Sequence, residues 1–169
     1  PNSPFLLSPP DWSDDGSTLV WNEFHQLVAG MQSSALRIWT GSGTPQSIQH
    51  DTGALDAAVS ADGRFVVFET AGQFTQPPGY YVGFHRILVL DRTTNATTEA
   101  SSAGDGGDPN DSSTGPAISP DSAFVGFTSS ASNLVAGDTN GVSDTFIRPH
   151  GSSARPFDGG TQRATRVGP

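Results

Sequence analysis

Cysteine is absent from this chain of 169 residues, and long apolar runs are absent as well. Without cysteine the chain can form neither a disulfide nor a thiolate metal site. No apolar run approaches the roughly 18 residues that a membrane-spanning helix needs. We therefore predict a domain without disulfides and without a membrane span.

Basic residues are scarce: the chain has eight arginines, no lysine and 17 acidic residues, for a net charge of −9. Nucleic-acid binding depends on basic side chains that neutralise phosphates, so this charge argues against a nucleic-acid partner. Fourteen of the 17 acids are aspartate, which favours turns because its side chain bonds to nearby backbone. We expect many of the carboxylates to act locally in turns.

No window of the sequence carries a sustained helical period of good helix formers. Glycine and proline are plentiful, with 20 and 13 residues, and they interrupt short apolar stretches. This composition is typical of chains rich in strands and turns. The sequence therefore predicts an all-β fold.

One phrase occurs three times, at residues 11–21, 57–68 and 116–127. Each copy has an apolar stretch, a Ser-x-Asp turn and a second stretch that ends in an aromatic residue. The turn aspartates Asp15, Asp62 and Asp121 lie 47 and 59 residues apart by subtraction, near the spacing of propeller blades. We divide the single domain 1–169 into approximate units 1–52, 53–104 and 105–169, each with about four short strands.

The strands predicted within the units include residues 86–91 and 96–99 in the second unit and residues 163–167 in the third. Variable excursions are predicted between the second and third strands of the units, at residues 23–34, 71–85 and 129–143.

These units resemble the WD40-like propeller repeats of the TolB type. The resemblance rests on the turns Ser13–Gly16, Ser60–Gly63 and Ser119–Asp121 and on the strand at Ile87–Asp91. The stretch Ser130–Asp144 resembles a secreted bacterial variant of the repeat. The resemblance implies propeller-like blades of four-stranded antiparallel sheets, about three in number, and an extracellular or periplasmic location in a bacterium.

Three blades are fewer than the four to eight of typical propellers. The ring is therefore incomplete unless the chain is oligomeric or part of a longer chain, because uncovered blades expose apolar surface. Heterologous contacts between copies give rings when they close and filaments when they do not. The connector at residues 101–113 is rich in Gly, Asp and Ser, and we predict a loop or a short linker there.

A candidate metal site lies in the segment of residues 138–144. Asp138 and Asn140 stand at alternate positions, Gly141 can bend the chain and Asp144 begins the next strand. Oxygen ligands in this arrangement suit Ca²⁺. The alternative is a turn in which the Asx side chains bond to backbone amides.

Two apolar segments are candidates for partner binding. The loop with Phe74, Tyr80 and Tyr81 is suited to stack on sugar rings or insert into a neighbouring protein, or else it folds back over its own blade. The N-terminal Phe5, Leu6 and Leu7 form a short apolar stretch that is suited to pair with a neighbour as an added strand.

The sequence thus favours a non-enzymatic extracellular structural or interaction module that self-assembles, with Ca²⁺ as a stabilising ion. One alternative is a propeller module that binds a protein or a glycan. Another is the propeller part of a larger hydrolase, whose catalytic residues would lie outside this chain. The four histidines are scattered without metal-ligand spacing, and we predict no catalytic residue.

Overall fold

The computed structural model of the chain describes residues 5–6, 9–26, 32–48, 53–70, 73–74, 81–150 and 162–164. These ranges form fifteen strands joined by turns and bends, and they contain no helix. All neighbouring strands run antiparallel. The predicted all-β fold class is confirmed. Within the same ranges, no helix has the length and apolar character needed to span a membrane.

The first sheet, which we call blade 1, contains five strands. They are β1 (Phe5–Leu6), β2 (Asp11–Trp12), β3 (Leu19–Gln26), β4 (Gln32–Trp39) and β5 (Gln46–Ile48). Both short strands β1 and β2 pair with the same edge of β3, and β4 and β5 follow on its other side. The two short strands therefore fill the place of one inner strand.

The second sheet, blade 2, has four strands. The chain continues through β6 (Ala54–Val59), β7 (Phe65–Thr70), β8 (Gln73–Phe74), β9 (Tyr81–Val82), β10 (Ile87–Asp91) and β11 (Ala96–Glu99). Blade 2 has the order β6-β7-β10-β11, whereas β8 and β9 pair with each other as a separate hairpin. The strand predicted at residues 86–91 and its return at 96–99 agree closely with β10 and β11.

The third sheet, blade 3, repeats this meander. Its strands are β12 (Ser113–Ile118), β13 (Phe124–Ser129), β14 (Asp144–Pro149) and β15 (Gln162–Ala164), paired in that order. The last strand was expected at residues 163–167, of which 165–167 lie outside the described ranges. Three antiparallel blades in chain order give the incomplete propeller that the sequence predicts.

One expected loop is mostly strand. We predicted a variable excursion at residues 23–34, but β3 continues to Gln26 and β4 begins at Gln32, with Glu23 opposite Ala35. The prediction was wrong at residues 23–26 and 32–34, because backbone N–H and C=O groups pair across an antiparallel ladder whatever side chains the residues carry.

The blades stack face to face on two apolar cores. Val20, Leu36 and Ile38 of blade 1 pack with Val66 and Phe68 of blade 2. The opposite face of blade 2 packs on blade 3 in a second cluster, whose members include Val67, Val89, Phe127, Leu134 and Phe146. Because side chains alternate between the faces of a strand, β7 contributes to both cores.

The connector at residues 101–113 is a packed part of the seam between blades 2 and 3. Asn133 accepts a hydrogen bond from the backbone N–H of Asn110 at 3.0 Å, and its Nδ2 donates to the Asp108 carbonyl at 2.9 Å. Gly104 N–H donates to the Asn133 carbonyl at 2.9 Å. The segment is a loop, one of the two alternatives predicted for it, and three bonds to Asn133 fix its position.

Candidate functional site

The repeated turns share one hydrogen-bond bracket. The Oγ of Ser60 donates to Asp62 Oδ1 at 2.7 Å and accepts the backbone N–H of Phe65 at 2.9 Å, and Asp62 Oδ1 also accepts the N–H of Arg64 at 3.0 Å. The corresponding three bonds recur in blades 1 and 3, at 2.6, 2.8 and 2.9 Å and at 2.6, 3.0 and 2.9 Å. The Ser-x-Asp motif is therefore a structural clamp on the turn between the first two strands of a blade.

These bonds stabilise the ionised aspartates. The pKa of Asp62 lies below its ordinary value, chiefly because Ser60 Oγ donates to it, and the backbone N–H of Arg64 acts in the same direction. The pKa values of Asp15 and Asp121 are lowered likewise, with the bonds from Ser13 and Ser119 as the largest causes. The carboxylates are used within the turns.

The turns also touch from blade to blade. Asp15 N–H donates to the Ala61 carbonyl, and Ala61 N–H donates to the Pro120 carbonyl, each at 3.4 Å. In both bonds the donor belongs to the earlier blade and the acceptor to the following one, so the two bonds have the same direction through the stack.

Blade 1 has an outer face that carries all three tryptophans of the chain. Trp12 and Trp39 meet edge to face with ring centroids 6.1 Å apart. On the same face, Glu23 accepts hydrogen bonds from Trp21 Nε1 at 3.1 Å and from Arg37 Nε at 2.8 Å. Trp12 is 49% exposed. We call this surface the tryptophan face. It is aromatic, and the charges of Glu23 and Arg37 on it neutralise each other.

Blade 3 has the opposite outer face, which we call the small-residue face. Phe124 is 49% exposed and Ile147 is 40% exposed. Between them lies Gly126, which pairs with Ile147 on one side and with exposed Ala117 on the other. The face is apolar and shallow, and the remaining positions on β13 and β14 are Thr128, Thr145 and Pro149.

A cavity of about 490 Å³ lies at the seam between blades 2 and 3. Val89 and Val125 supply apolar walls, Gly104 contributes from the connector, and Glu99 and Arg148 supply charge. Arg148 is only 5% exposed. Pockets of this size with a few convergent polar groups are typical of ligand sites.

Arg148 is held by the connector. Its Nη1 donates to Ser102 Oγ at 3.0 Å, and its Nη2 donates to the Ser102 carbonyl. Burial lowers the pKa of the guanidinium, and the charge of Glu99 opposes this effect. Glu99 itself accepts a hydrogen bond from Arg86 at 2.9 Å, so its own charge is balanced by a second arginine.

A carboxylate–imidazole pair lies on the same seam. Glu69 Oε1 is 2.8 Å from His85 Nδ1, and Glu69 Oε2 accepts the N–H of Gly115 from blade 3 at 3.3 Å. Burial raises the pKa of Glu69, and the bonds from Gly115 and His85 oppose that rise. The pair orients the imidazole and joins blade 2 to blade 3.

The segment proposed for Ca²⁺ forms an Asx turn. Asn140 Oδ1 accepts the N–H of Val142 at 3.1 Å, and its Nδ2 donates to Asp144 Oδ2 at 3.1 Å. The side-chain N–H of Asn140 therefore occupies Asp144 Oδ2, an oxygen that a bound cation would need as a ligand. No group of three His, Cys, Asp or Glu suited to a metal occurs in the part of the chain that the structure describes. Ca²⁺ binding by Asp138, Asn140 and Asp144 stays a prediction.

The predicted partner-binding residues are only partly described. Phe5 and Leu6 form β1 and pair with Phe24 and Glu23 of the same chain. Phe74 pairs with Tyr81 across the β8–β9 hairpin. Leu7 and Tyr80 lie outside the described residues, and the partner-binding role of these residues stays a prediction.

Sequence reasoning missed four features of the site: the tryptophan face, the small-residue face, the seam cavity and the Glu69–His85 pair. The repeat did contain a signal for the two faces. An alignment of its three copies shows which positions of each strand point toward the preceding blade and which toward the following blade. The cavity and the pair had no local signal, since Arg148 and Ser102 are 46 residues apart and Glu69 and His85 are 16 apart.

Comparison with known proteins gives no match to a protein-family model and no match to a curated protein. Among solved structures, the chain is similar to TolB from Acinetobacter baumannii, with a TM-score of 0.55 and 18% identity over 99% of this chain and 33% of that chain. It is also similar to the β-propeller domain of the Trilobed protease from Pyrococcus furiosus, with a TM-score of 0.57 and 13% identity over 87% of this chain and 39% of that chain.

A third similar structure is the tricorn protease, with a TM-score of 0.60 and 18% identity over 87% of this chain and 14% of that one. The chain spans less than half the length of each of these structures. At these identities the likeness concerns the fold alone. The chain has a TolB-like β-propeller fold, of which it contains three blades.

Proposed function

We propose that the chain is a non-catalytic propeller module that acts by binding other protein surfaces through the outer faces of blades 1 and 3. The observation that carries this proposal is the exposure of apolar side chains at positions that are buried where blades meet. We further propose that it belongs to the TolB-type WD40-like repeat family and works outside the cytoplasm of a bacterium, as the resemblance of its motifs to a secreted variant implies.

Blade 2 is covered on both faces, so its residues can be compared with the equivalent residues on the outer faces of blades 1 and 3. Register places Trp12, Leu19, Trp21 and Trp39 of blade 1 at the positions of Val59, Val66, Phe68 and Leu90 in blade 2. All four blade 2 residues are at most 7% exposed because blade 1 covers them. The tryptophan face thus has the character of an interface that lacks its neighbouring blade.

The small-residue face can be compared with blade 2 in the same way. Register places Phe124, Gly126 and Ile147 of blade 3 at the positions of Phe65, Val67 and Val89 in blade 2. Val67 is fully buried and Val89 is 2% exposed under blade 3, whereas Ile147 is 40% exposed. Exposed apolar patches of this kind mark interaction sites on soluble proteins.

Dye binding tests the proposed role. The probe is bis-ANS, which fluoresces on accessible apolar surface, applied to the purified chain at nanomolar concentration. We expect the double variant F124S/I147S to lose the part of the signal that comes from the small-residue face, and V142S, a loop residue with 62% exposure, to keep the full signal. Equal dye binding by all three proteins would contradict the role of the face.

Ca²⁺ stabilisation is a separate part of the proposal. Its support is the set of oxygen-bearing side chains at Asp138, Asn140 and Asp144, of which Asp144 is buried. We expect Ca²⁺, but not Mg²⁺, to raise the melting temperature of the chain and D138N to abolish the rise. An unchanged melting temperature in Ca²⁺ and in chelator would assign the loop to the Asx turn alone.

A second candidate function is ligand binding in the seam cavity. Its support is the buried guanidinium of Arg148 beside the apolar walls of Val89 and Val125. An arginine among apolar groups suits a ligand with an apolar body and a carboxylate.

Hexanoate is a suitable probe for this cavity, with hexanol as the uncharged control of the same length. We expect hexanoate to raise the melting temperature of the wild-type chain more than hexanol does, and R148M to remove the difference. The same response in both proteins, or to both probes, would exclude a carboxylate site at Arg148.

A further inference from the structure

We infer that the occupant of the two outer faces is a second copy of this chain, bound head to tail, with the tryptophan face of each copy on the small-residue face of the other. This inference rests on the proposed function, since it identifies the partner of the same two faces. It commits to one arrangement, in which blade 1 of one copy continues the stack after blade 3 of the other.

The first argument is complementarity of side-chain size. The tryptophan face is bulkier than its equivalent in blade 2, because tryptophans replace Val59, Phe68 and Leu90. The small-residue face is flatter than its equivalent, because Gly126 replaces Val67 and two threonines replace Glu69 and Ile87. Large side chains on one face therefore meet space on the other, as close packing of an interface requires.

The second argument comes from the existing seam between blades 2 and 3, which serves as a template. In that seam Val89 and Arg148 line the same cavity from opposite sides. The equivalent of Val89 on the small-residue face is Ile147, and the equivalent of Arg148 on the tryptophan face is Trp39. In a new seam with the geometry of the seam between blades 2 and 3, Ile147 of one copy therefore lies against Trp39 of the other.

The turns extend the same pattern. Asp15 N–H donates to the Ala61 carbonyl of the next blade, and the equivalent donor in blade 3 is the N–H of Asp121. A blade 1 that follows blade 3 presents the Asp14 carbonyl at the position of Ala61. Of the two observed bonds, the type donated by Asp15 can continue across the boundary through Asp121 N–H, whereas the type donated by Ala61 cannot, because its blade 3 equivalent is Pro120, which has no backbone N–H.

Each copy carries a net charge of −9, but the charged groups described on the central strands of the two faces are paired. Glu23 and Arg37 form an ion pair at 2.8 Å on the tryptophan face, so the pair enters the interface already balanced. On β13 and β14 the opposing face consists of Phe124, Gly126, Thr128, Thr145, Ile147 and Pro149, none of which is charged. Burial of unpaired charge, which is the usual cost of such a contact, is avoided.

For a chain of these three blades, we take the proposed number of copies from the blade count. Two copies of three blades give six, which lies within the usual range of about four to eight blades in closed propellers. A closed pair has two identical head-to-tail seams and leaves no outer face uncovered. The expected particle is a dimer.

Two single-face variants test the inference. W12D damages only the tryptophan face and I147D damages only the small-residue face. V142D is the matched control, because Val142 is 62% exposed and lies on the loop before β14. Circular dichroism and thermal melting confirm that each protein is folded, and sedimentation velocity at micromolar concentration gives its mass.

We expect the wild type and V142D to be dimers and each single-face variant to be a monomer. An equimolar mixture of W12D and I147D must recover a heterodimer, because one intact tryptophan face and one intact small-residue face remain. Dimers that persist in one of the single variants, or a mixture that stays monomeric while the wild type dimerises, would overturn the head-to-tail arrangement. If W12D does not fold, W12S takes its place.

A wild-type chain that stays monomeric also overturns the inference. The dye experiment then separates the two claims. Loss of bis-ANS binding in F124S/I147S keeps the outer faces as docking surfaces for an occupant other than a second copy. Unchanged dye binding contradicts the docking role as well.

Discussion

Gly63 in the turn of blade 2 lies against Thr18 of blade 1 with no space for a side chain. A Cβ atom at Gly63 would stand 2.4 Å from Thr18 Oγ1 and 2.9 Å from Thr18 Cβ, and Gly63 also has a φ of +68°. Gly16 has nearly the same φ, +69°, but open space around it. The same turn therefore has different steric limits in two blades.

The substitution G63A is expected to destabilise the chain more than G16A. Both variants place a side chain in the left-handed region at a cost of about 1 to 2 kcal/mol. G63A adds overpacking against Thr18, for a total of about 2 to 4 kcal/mol. Urea denaturation of the two variants measures the difference, and equal losses would show that Thr18 moves aside freely.

Ser122 occupies the corresponding position in blade 3 with a φ of +60°. We expect S122G to stabilise the chain by about 0.5 to 1 kcal/mol, because relief of the left-handed strain outweighs the greater freedom of glycine in the unfolded chain. The matched control is S17G, an exposed turn residue whose φ is not positive, and it should destabilise. Thermal melting checks both signs.

The clamp carboxylates predict a loss of stability in acid. The pKa of Asp62 in the folded chain is below its ordinary value of 3.8, so its contribution is present above pH 3.8 and is lost as the pH falls through the folded pKa. D62N keeps the oxygen acceptor without the charge, and we expect a flatter decline of stability below pH 3.8. Denaturation at a series of pH values, with exposed Asp14→Asn as the control, measures the slope.

Arg148 is expected to be intolerant of lysine. Its two donors reach both Oγ and the carbonyl of Ser102, a geometry that depends on the guanidinium fork. We expect R148K to cost about 1 to 3 kcal/mol because a buried acceptor loses its donor. R64K, in an exposed pair with Asp91, should have a much smaller effect. Similar melting temperatures for the two variants would show that Ser102 does not depend on the fork.

Much of the fold could be predicted from sequence because it is encoded locally and three times. The Ser-x-Asp turn needs residues within a span of five positions, as the bond from Phe65 N–H to Ser60 Oγ illustrates, and the turn fixes the order of the strands around it. The hairpin at residues 91–96 was equally local, with Asn95 at a φ of +57°.

The site could not be predicted in the same way. The cavity depends on the way in which blade 3 lies against blade 2, and the Glu69–His85 pair depends on strand register, so neither follows from spacing along the chain. The sequence left both a loop and a linker open for the connector, because its Gly and Asp residues carry no apolar pattern and its hydrogen bonds come from the distant Asn133.

The double burial of β7 bears on how this sequence can vary. Val66, Val67 and Phe68 are each at most 1% exposed, so no position in that run can become polar without cost. In β13 only alternate positions, such as Val125 and Phe127, are buried, and Phe124 is exposed. The proposed head-to-tail contact therefore predicts that a comprehensive substitution scan, under selection for the assembled protein, records intolerance at Phe124 and Ile147, although both side chains are exposed in the structure.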